Sequence, residues 1–145
     1  MKLKVNRQIL SEILNLNYDV YKPLSTFVSK KEFLSICYNM ETKKNNFFPF
    51  PIYFGLSKQK SIQLSKIKII KLYYKSHKIC DFIIKDIFSF DKKLKIKLGQ
   101  LLFRTNDLNH PGFNQFISKN NEYYLHGIIK NFEESILNKI NFTKP

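Results

Sequence analysis

Hydrophobic residues recur at helical spacing in the first part of the chain. Ile9, Ile13 and Leu16 fall on one face of a predicted helix, because steps of three and four residues return to the same side. A second helix is predicted to begin after Ser29, whose hydroxyl can accept a hydrogen bond from the backbone of Glu32 while the Glu32 side chain reaches back. The chain is therefore predicted to open with two helices.

The middle of the chain changes to the alternating pattern of β-strands. Hydrophobic residues occupy every second position over short stretches, which polar residues separate. One stretch contains Pro49 and Pro51, and it is predicted as an edge or entry strand because proline cannot donate to a sheet. A polar loop is expected at 41–46. The predicted strands are 47–56, 61–74, 77–90 and 121–132.

Residues 91–103 fit both patterns, and we predict a helix. The sequence Lys-Leu-Lys-Ile-Lys-Leu alternates as a strand would. However, Leu94, Leu98 and Leu101 also share one helical face, and Asp91 is a favourable N-cap because its carboxylate can accept a hydrogen bond from the first turn.

Together these elements predict one α+β domain over 1–145, with N-terminal helices on a small mixed or antiparallel barrel-like sheet. A chain of 145 residues that is 43% hydrophobic can bury a core without a disulfide or metal. A short C-terminal helix and tail are expected at 133–145, with Asn131 as the cap and Glu134 as its partner. The amino terminus lacks an apolar signal segment and no stretch reaches membrane-span length, so we expect a cytoplasmic protein without a membrane partner.

The formal net charge is +14 and the sequence pI about 9.8. Such a balance ordinarily suggests a polyanionic partner. Arg7 and Arg104 are, however, the only arginines among 25 basic residues, and arginine makes the forked contacts used in nucleic-acid recognition. The abundance of lysine, asparagine and isoleucine is typical of an AT-rich genome. We therefore interpret this basic protein's charge as compositional and expect only weak, non-specific binding to nucleic acid.

Motifs for metal, phosphate or nucleophilic chemistry are absent from the sequence. Cys37 and Cys80 are too few for a disulfide framework, and we expect both to be buried thiols. His77, His110 and His126 do not have the i, i+4 spacing of a zinc pair. The four glycines are too dispersed for a phosphate loop. No metal and no cofactor are expected.

The stretch 104–112 is polar and turn-rich, unlike its lysine- and isoleucine-rich surroundings. Pro111 fixes φ and Gly112 permits a positive φ, so a structural turn is predicted here. His110 is then expected to bond to nearby backbone or to Asp107. A candidate interaction loop is the alternative. The residues assigned to this turn or interaction loop are Arg104, Thr105, Asp107, Asn109, His110, Pro111 and Gly112.

A set of short motifs follows a recognisable order along the chain. The most specific is Thr-x-Asp-x-x-His-Pro-Gly at 105–112, and it is preceded by segments at 21–33, 47–52 and 79–93 and followed by one at 122–129. In this order the sequence resembles the N-terminal PUA-like domain of ATP sulfurylase (sulfate adenylyltransferase), over residues 5–132. The resemblance implies a PUA-like barrel. Departures from the family pattern are Thr26 for Gly, Phe48 for Trp, Arg104 for Gly and His126 for Gly.

The resemblance also implies where family catalysis resides. In the family, a following domain carries a Gln-x-Arg-Asn-Pro segment and a His-x-x-His pair, and neither pattern occurs in this sequence. This chain is therefore expected to stand alone without the catalytic domain and to lack enzymatic activity on its own. The first hypothesis is a non-catalytic domain that supports or docks to a separate catalytic chain, or to a related enzyme of sulfate metabolism, in sulfate assimilation.

Two further hypotheses come from other functional classes. One is an RNA- or nucleic-acid-binding PUA-like module, in which tyrosine rings stack on bases and lysines contact phosphates. The candidate contacts are Tyr73, Tyr74, Tyr123 and Tyr124. The other is an independent enzyme, related to nucleotidyltransferases, that uses His110 and Asp107.

Overall fold

The computed structural model describes residues 1–42 and 46–140. The centre of the polar loop predicted at 41–46 lies outside the described residues, and so does the tail after residue 140. Within those two ranges, no helix is both long enough and apolar enough to cross a membrane.

The described residues form helices and one mixed sheet. The helices are α1 (Arg7–Asn17), α2 (Lys30–Asn39), α3 (Lys58–Leu64), α4 (Lys92–Phe103), α5 (Pro111–Phe116) and α6 (Ile136–Lys139). The strands are β1 (Lys2–Lys4), β2 (Gly55–Leu56), β3 (Ile69–Tyr74), β4 (His77–Ser89) and β5 (Tyr123–Lys130). Their order is β1-β3-β4-β5-β2, with β1 parallel to β3, while β3–β4 and β2–β5 are antiparallel. This architecture confirms the predicted α+β class with a small mixed sheet.

The chain packs as two compact units, each made of several segments. The first unit contains Met1–Phe27, Lys66–Lys85 and the residues from Gly127 onward. The second contains Val28–Ser65 and Asp86–His126. The organisation of 1–145 as one domain stays a prediction.

In the first unit, α1 and the inward faces of the strands supply the core. Asn6 caps α1 by accepting a hydrogen bond from Ile9 N at 2.8 Å, which satisfies a backbone donor of the first turn. The rings of Phe27 and Phe82 lie 6.2 Å apart. The predicted helix is thereby confirmed, and its buried residues are Leu10, Ile13, Leu14 and Leu16.

A close approach of backbone to backbone fixes residue 127 as glycine. A Cβ at Gly127 would lie 2.1 Å from the Ile83 carbonyl oxygen and 2.5 Å from the Phe82 ring. The Thr26 hydroxyl donates a hydrogen bond to the Gly127 carbonyl. Thr26, which departs from the family glycine, therefore anchors the segment after α1 to β5.

The second unit has an aromatic core centred on Phe33 of α2. Its ring lies 4.9 Å from Tyr124, 5.1 Å from Phe90 and 5.7 Å from Tyr53, measured between centroids. Ser29 begins α2 as predicted, and its hydroxyl accepts a hydrogen bond from the backbone N of residue 32 at 3.3 Å. The core therefore joins residues from α2, β5 and the segments before β2 and α4.

The predicted helix at 91–103 is also confirmed. The Asp91 carboxylate accepts a hydrogen bond from Leu94 N at 2.8 Å, and the helix runs to Phe103. The Asp91 cap therefore favours the helical over the strand pattern in this segment.

The prediction of a strand beginning at residue 61 is wrong, because α3 occupies 58–64. The Ser57 hydroxyl accepts a hydrogen bond from Lys60 N at 3.3 Å and starts a helical turn. The buried residues of α3, Ser61 and Leu64, are three apart, as on one face of a helix. Ile62, which we assigned to the strand, is 62% exposed.

The strand that follows begins at Ile69 and not at residue 61. Ile70 and Leu72 are fully buried in β3, whereas Ile69 is 55% exposed. The parallel partner β1, which the sequence analysis missed, pairs Leu3 with Leu72 and so sets which side faces inward.

Two other boundaries differ from the predictions. The strand predicted at 47–56 is reduced to Gly55–Leu56, because the prolines before it cannot donate to the sheet, although its edge position is confirmed. The C-terminal helix begins only at Ile136, and Asn131 is not its cap. Asn131 has a positive φ of 54° and donates its amide to Asp81 at 2.9 Å.

Gly127→Ala should destabilise the first unit, because the new methyl group meets a backbone carbonyl that cannot move alone. We expect a loss of about 1–3 kcal/mol in the free energy of unfolding, as for other overpacked sites. Gly55→Ala is the control, since its Cβ would meet mainly the side-chain amide of Asn121, whose rotation would cost its hydrogen bond to the Gln115 carbonyl but would not move a backbone strand. Urea-induced unfolding measures both, and equal costs would contradict the assignment.

Candidate functional site

The loop after α4 is braced by its own side chains. The Thr105 hydroxyl accepts a hydrogen bond from Asp107 N at 3.1 Å, and the Asp107 carboxylate accepts one from Asn109 N at 2.9 Å. The Asn114 amide donates to the Leu108 carbonyl at 3.1 Å. Backbone groups that lack helix or strand partners are thus satisfied locally. These bonds hold the predicted site loop in one conformation.

His110 is the N-cap of α5. Its Nδ1 accepts a hydrogen bond from Phe113 N at 3.2 Å, and Pro111 follows at the first helical position, where a missing N–H leaves no helical bond unmade. The Phe103 ring lies 5.6 Å from the His110 ring. The nitrogen that would have to act as a base is therefore occupied by the backbone.

The expectation of a positive φ at Gly112 is wrong, since no described glycine has one. The left-handed residue of this segment is Arg104, with φ 55°, which ends α4. Gly112 lies in the first turn of α5, where a Cβ would stand 2.6 Å from the Phe103 ring. Glycine is thus required here by lack of space and not by backbone conformation.

The proposed acid–base pair of an independent enzyme is not assembled. His110 Nδ1 and the Asp107 carboxylate each accept a backbone N–H instead. Burial raises the pKa of Cys37 and of Cys80 to about 12, so both buried thiols stay protonated at neutral pH. In the two described ranges, no three His, Cys, Asp or Glu side chains come together as a metal site.

The four candidate stacking tyrosines are divided between the two units. Tyr73 and Tyr74 belong to the first unit, and Tyr123 and Tyr124 to the second. Tyr74 is 9% exposed and Tyr124 is fully buried, so both are core residues that cannot stack on a base. Tyr73 and Tyr123 are half-buried. This burial does not favour the nucleic-acid hypothesis.

Lys95 is a half-buried cation that sequence reasoning missed. Its Nζ lies 4.5 Å from the Tyr124 ring centroid and 4.7 Å from that of Phe116, and it donates to the Asn121 carbonyl. Burial lowers the pKa of Lys95 to about 8, while the charge of Glu122 acts in the opposite direction. The two rings and the carbonyl stabilise the ammonium that burial destabilises.

A sequence signal for this burial existed but was weak. Lys95 precedes the buried Leu98 and Gly99 by three and four residues, which places it on the inward face of α4. We had assigned that face from leucines alone. The hydroxyl of Tyr124 is also buried and lacks a hydrogen-bond partner within the described residues, and burial raises its pKa.

The sequence profile of the PUA-like domain family matches residues 1–134. The chain belongs to the PUA-like domain family. This assignment confirms the resemblance on which the predicted fold depended, and the loop, α5 and Lys95 are parts of a PUA-like domain.

Several curated proteins named sulfate adenylyltransferase are similar to this PUA-like domain. That of Ignicoccus hospitalis is 25% identical over 130 residues, which are 88% of this chain and 32% of that protein. That of Desulforamulus reducens is 25% identical over 134 residues, or 91% and 33%. That of Pyrococcus abyssi is 25% identical over 111 residues, or 77% and 28%. The chain spans about a third of the length of the curated relatives it matches.

A solved structure has the same fold at lower identity. The hexameric APS kinase from Thiobacillus denitrificans superposes with a TM-score of 0.58 and 13% identity, over 89% of this chain and 20% of that one. At this identity the similarity concerns the fold alone.

His110→Ala should lower the free energy of unfolding by about 0.5–2 kcal/mol, because the cap of α5 is lost. His110→Asn should retain most of the stability, since the Asn side-chain oxygen can accept the same bond from Phe113 N. Thermal unfolding of the two variants measures the difference. Identical melting of both variants and the wild type would show that the cap contributes nothing.

The pKa of Lys95 predicts a pH-dependent difference between the wild type and Lys95→Met. The folded pKa of about 8 lies below the ordinary value of 10.5, so the unfolded chain binds more protons between these values. Wild-type stability should therefore rise with pH across that window. Lys95→Met should lack this contribution, and other titrations are shared by both proteins. Urea unfolding across the window measures it, and parallel curves would contradict it.

Proposed function

We propose that this PUA-like domain has a non-catalytic role in sulfate activation, and that it supports or docks to a separately encoded catalytic chain of the sulfate adenylyltransferase type. The observation that carries the proposal is the pattern of coverage. Relatives of that name align with 76–91% of this chain, yet the aligned part is only 27–33% of their own length. The chain thus corresponds to one part of a larger enzyme.

The chemistry of the loop at 104–112 supports a structural role for this domain and a catalytic role for a separate chain. Joining sulfate to a nucleotide phosphate requires several positioned cationic or N–H donors around anionic oxygens. In the loop at 104–112, the side chains of Thr105, Asp107 and His110 act as acceptors and are already used by backbone N–H groups. We therefore assign the groups that bind sulfate and phosphate oxygens to the catalytic chain, and we assign a structural role to the loop.

The catalytic part of the proposal is tested with the purified chain. We expect no sulfate-dependent release of pyrophosphate from ATP, because the Thr105, Asp107 and His110 side chains act as acceptors for backbone N–H groups and do not donate to sulfate or phosphate oxygens. His110→Ala serves as the control for the alternative. Sulfate-dependent turnover that disappears in His110→Ala would establish an independent enzyme and overturn this proposal.

The supporting role is tested with a chimera. The segment of the Ignicoccus hospitalis sulfate adenylyltransferase that aligns with this chain would be replaced by this chain, and a deletion without replacement is the control. We expect the chimera to release pyrophosphate in a sulfate-dependent manner and the deletion to lose that activity. A chimera that unfolds cooperatively but is inactive would contradict the supporting role.

A further inference from the structure

One face of the sheet in the first unit is open to solvent. Along β1 the side chains alternate, with Lys2 and Lys4 exposed and Leu3 buried. Along β3, Ile69 and Lys71 are exposed and Tyr73 is half-buried, while Ile70, Leu72 and Tyr74 are buried. Since residues directly paired across strands point to the same side, β1, β3 and β4 present one continuous outward face.

The β1 side of this face is strongly basic. Lys2 lies directly opposite Lys71 and Lys4 directly opposite Tyr73 in the parallel pairing. Like charges placed directly opposite each other destabilise a sheet. In the part of the chain that the structure describes, no ion pair joins these three lysines to a carboxylate, although the Lys2 ammonium lies 5.2 Å from the Tyr73 ring.

The carboxylate nearest in register offsets only part of these charges. Asp81 of β4 pairs with Lys71 across the strands and interacts electrostatically with it, but the Asp81 oxygens contact Lys78 at 3.0 Å and Asn131 at 2.9 Å. Lys2, Lys4 and Lys71 therefore keep a net positive charge on this side of the face.

The β4 side of the face is aliphatic. Ile69 is 55% exposed and pairs with the half-buried Ile83. On β5, a Cβ at Gly127 would point at the buried Phe82 ring, so the next residue, Ile128, faces outward and is 39% exposed. Ile69 is thus largely exposed, and Ile83 and Ile128 are partly exposed, on the outward sides of neighbouring strands in the described residues.

We propose that this lysine–isoleucine face, formed by Lys2, Lys4, Lys71, Ile69, Ile83 and Ile128, is the docking surface for an acidic protein surface with an aliphatic centre. The inference rests on the proposed function and deepens it, since the acidic surface belongs to the catalytic part of the sulfate adenylyltransferase type. Protein interfaces combine an apolar centre with a polar rim, and complementary charge speeds and orients their association.

The composition of the face favours protein over nucleic acid. Unpaired bases stack on aromatic or guanidinium planes. The aromatic side chain of this face is Tyr73, and the Lys2 ammonium already lies near its ring, where a base would have to stack. Isoleucines contribute nothing to phosphate contacts, whereas they fill the centre of a protein interface. An acidic rim on the partner would also relieve the repulsion between Lys2 and Lys71.

The experiment uses the full chain and the chimera with the Ignicoccus hospitalis enzyme. Acetylation of individual lysines by acetic anhydride is followed by mass spectrometry. In the chimera we expect acetylation of Lys2, Lys4 and Lys71 to fall on the order of tenfold, the change that about 1.4 kcal/mol of docking free energy produces. Lys58 and Lys60, which are exposed in the second unit, are the internal control and should react equally in both proteins.

Two variants test the face directly. Ile69→Glu should restore the acetylation of the lysines and reduce chimera activity, whereas Ile62→Glu, at a comparably exposed isoleucine of α3, should do neither. Lys2→Glu should also weaken docking, yet the isolated chain should be at least as stable as wild type, because an opposite charge then faces Lys71. Weaker docking without a loss of stability would distinguish a docking role of Lys2 from a structural one.

Each result supports or overturns the inference. Protection that is lost in Ile69→Glu and Lys2→Glu but kept in Ile62→Glu supports it. An active chimera with lysines as reactive as in the isolated chain overturns the docking surface and leaves the proposed function intact. A folded but inactive chimera overturns the proposed function and the inference with it. Submicromolar binding of a mixed-sequence single-stranded RNA that protects the same lysines overturns it in favour of nucleic acid.

Discussion

The second unit depends on the enclosure of Phe33 by other aromatic rings. Phe33 is fully buried, and rings from β4, β5, α5 and the segment before β2 lie around it with centroids between 4.9 and 6.2 Å away. Rings of this size dominate the apolar area that a core removes from water. Because these elements are far apart in sequence, one side chain in α2 sets where each of them can lie.

This enclosure also determines the electrostatics of the unit. The rings of Phe116 and Tyr124 that pack around Phe33 also contact the Lys95 ammonium. A cation inside an aromatic core is tolerated because the ring faces and the Asn121 carbonyl replace part of its hydration. The same packing holds Phe116 and hence α5, so the loop that leads to His110, the N-cap of α5, is positioned by the core.

In the first unit, the packing depends instead on a close backbone contact and on the register of the strands. Gly127 admits the backbone of Ile83 to a distance that no side chain would allow, and the parallel pairing of β1 with β3 selects the inward residues. The outward face of the same strands carries lysines and isoleucines together. This chain matches about a third of the length of its sulfate adenylyltransferase relatives, and this face is the one that we propose for docking.

The sequence by itself determined what short-range hydrogen bonds control. The caps at Ser29 and Asp91 and the alternation along β4 are local, so α2, α4 and the long strand were predicted correctly. The order of motifs around Thr105 and His110 likewise indicated the PUA-like family. The tertiary structure alone decided which sides are inward. Ile69 is exposed because the opposite side of β3, with Ile70 and Leu72, packs into the core. Lys95 is half-buried because rings from α5 and β5 lie against its ammonium, and Gly112 is crowded by Phe103. The hydrophobic pattern of a segment predicts one helix or strand at a time. The burial of a side chain depends on residues that are distant in the sequence.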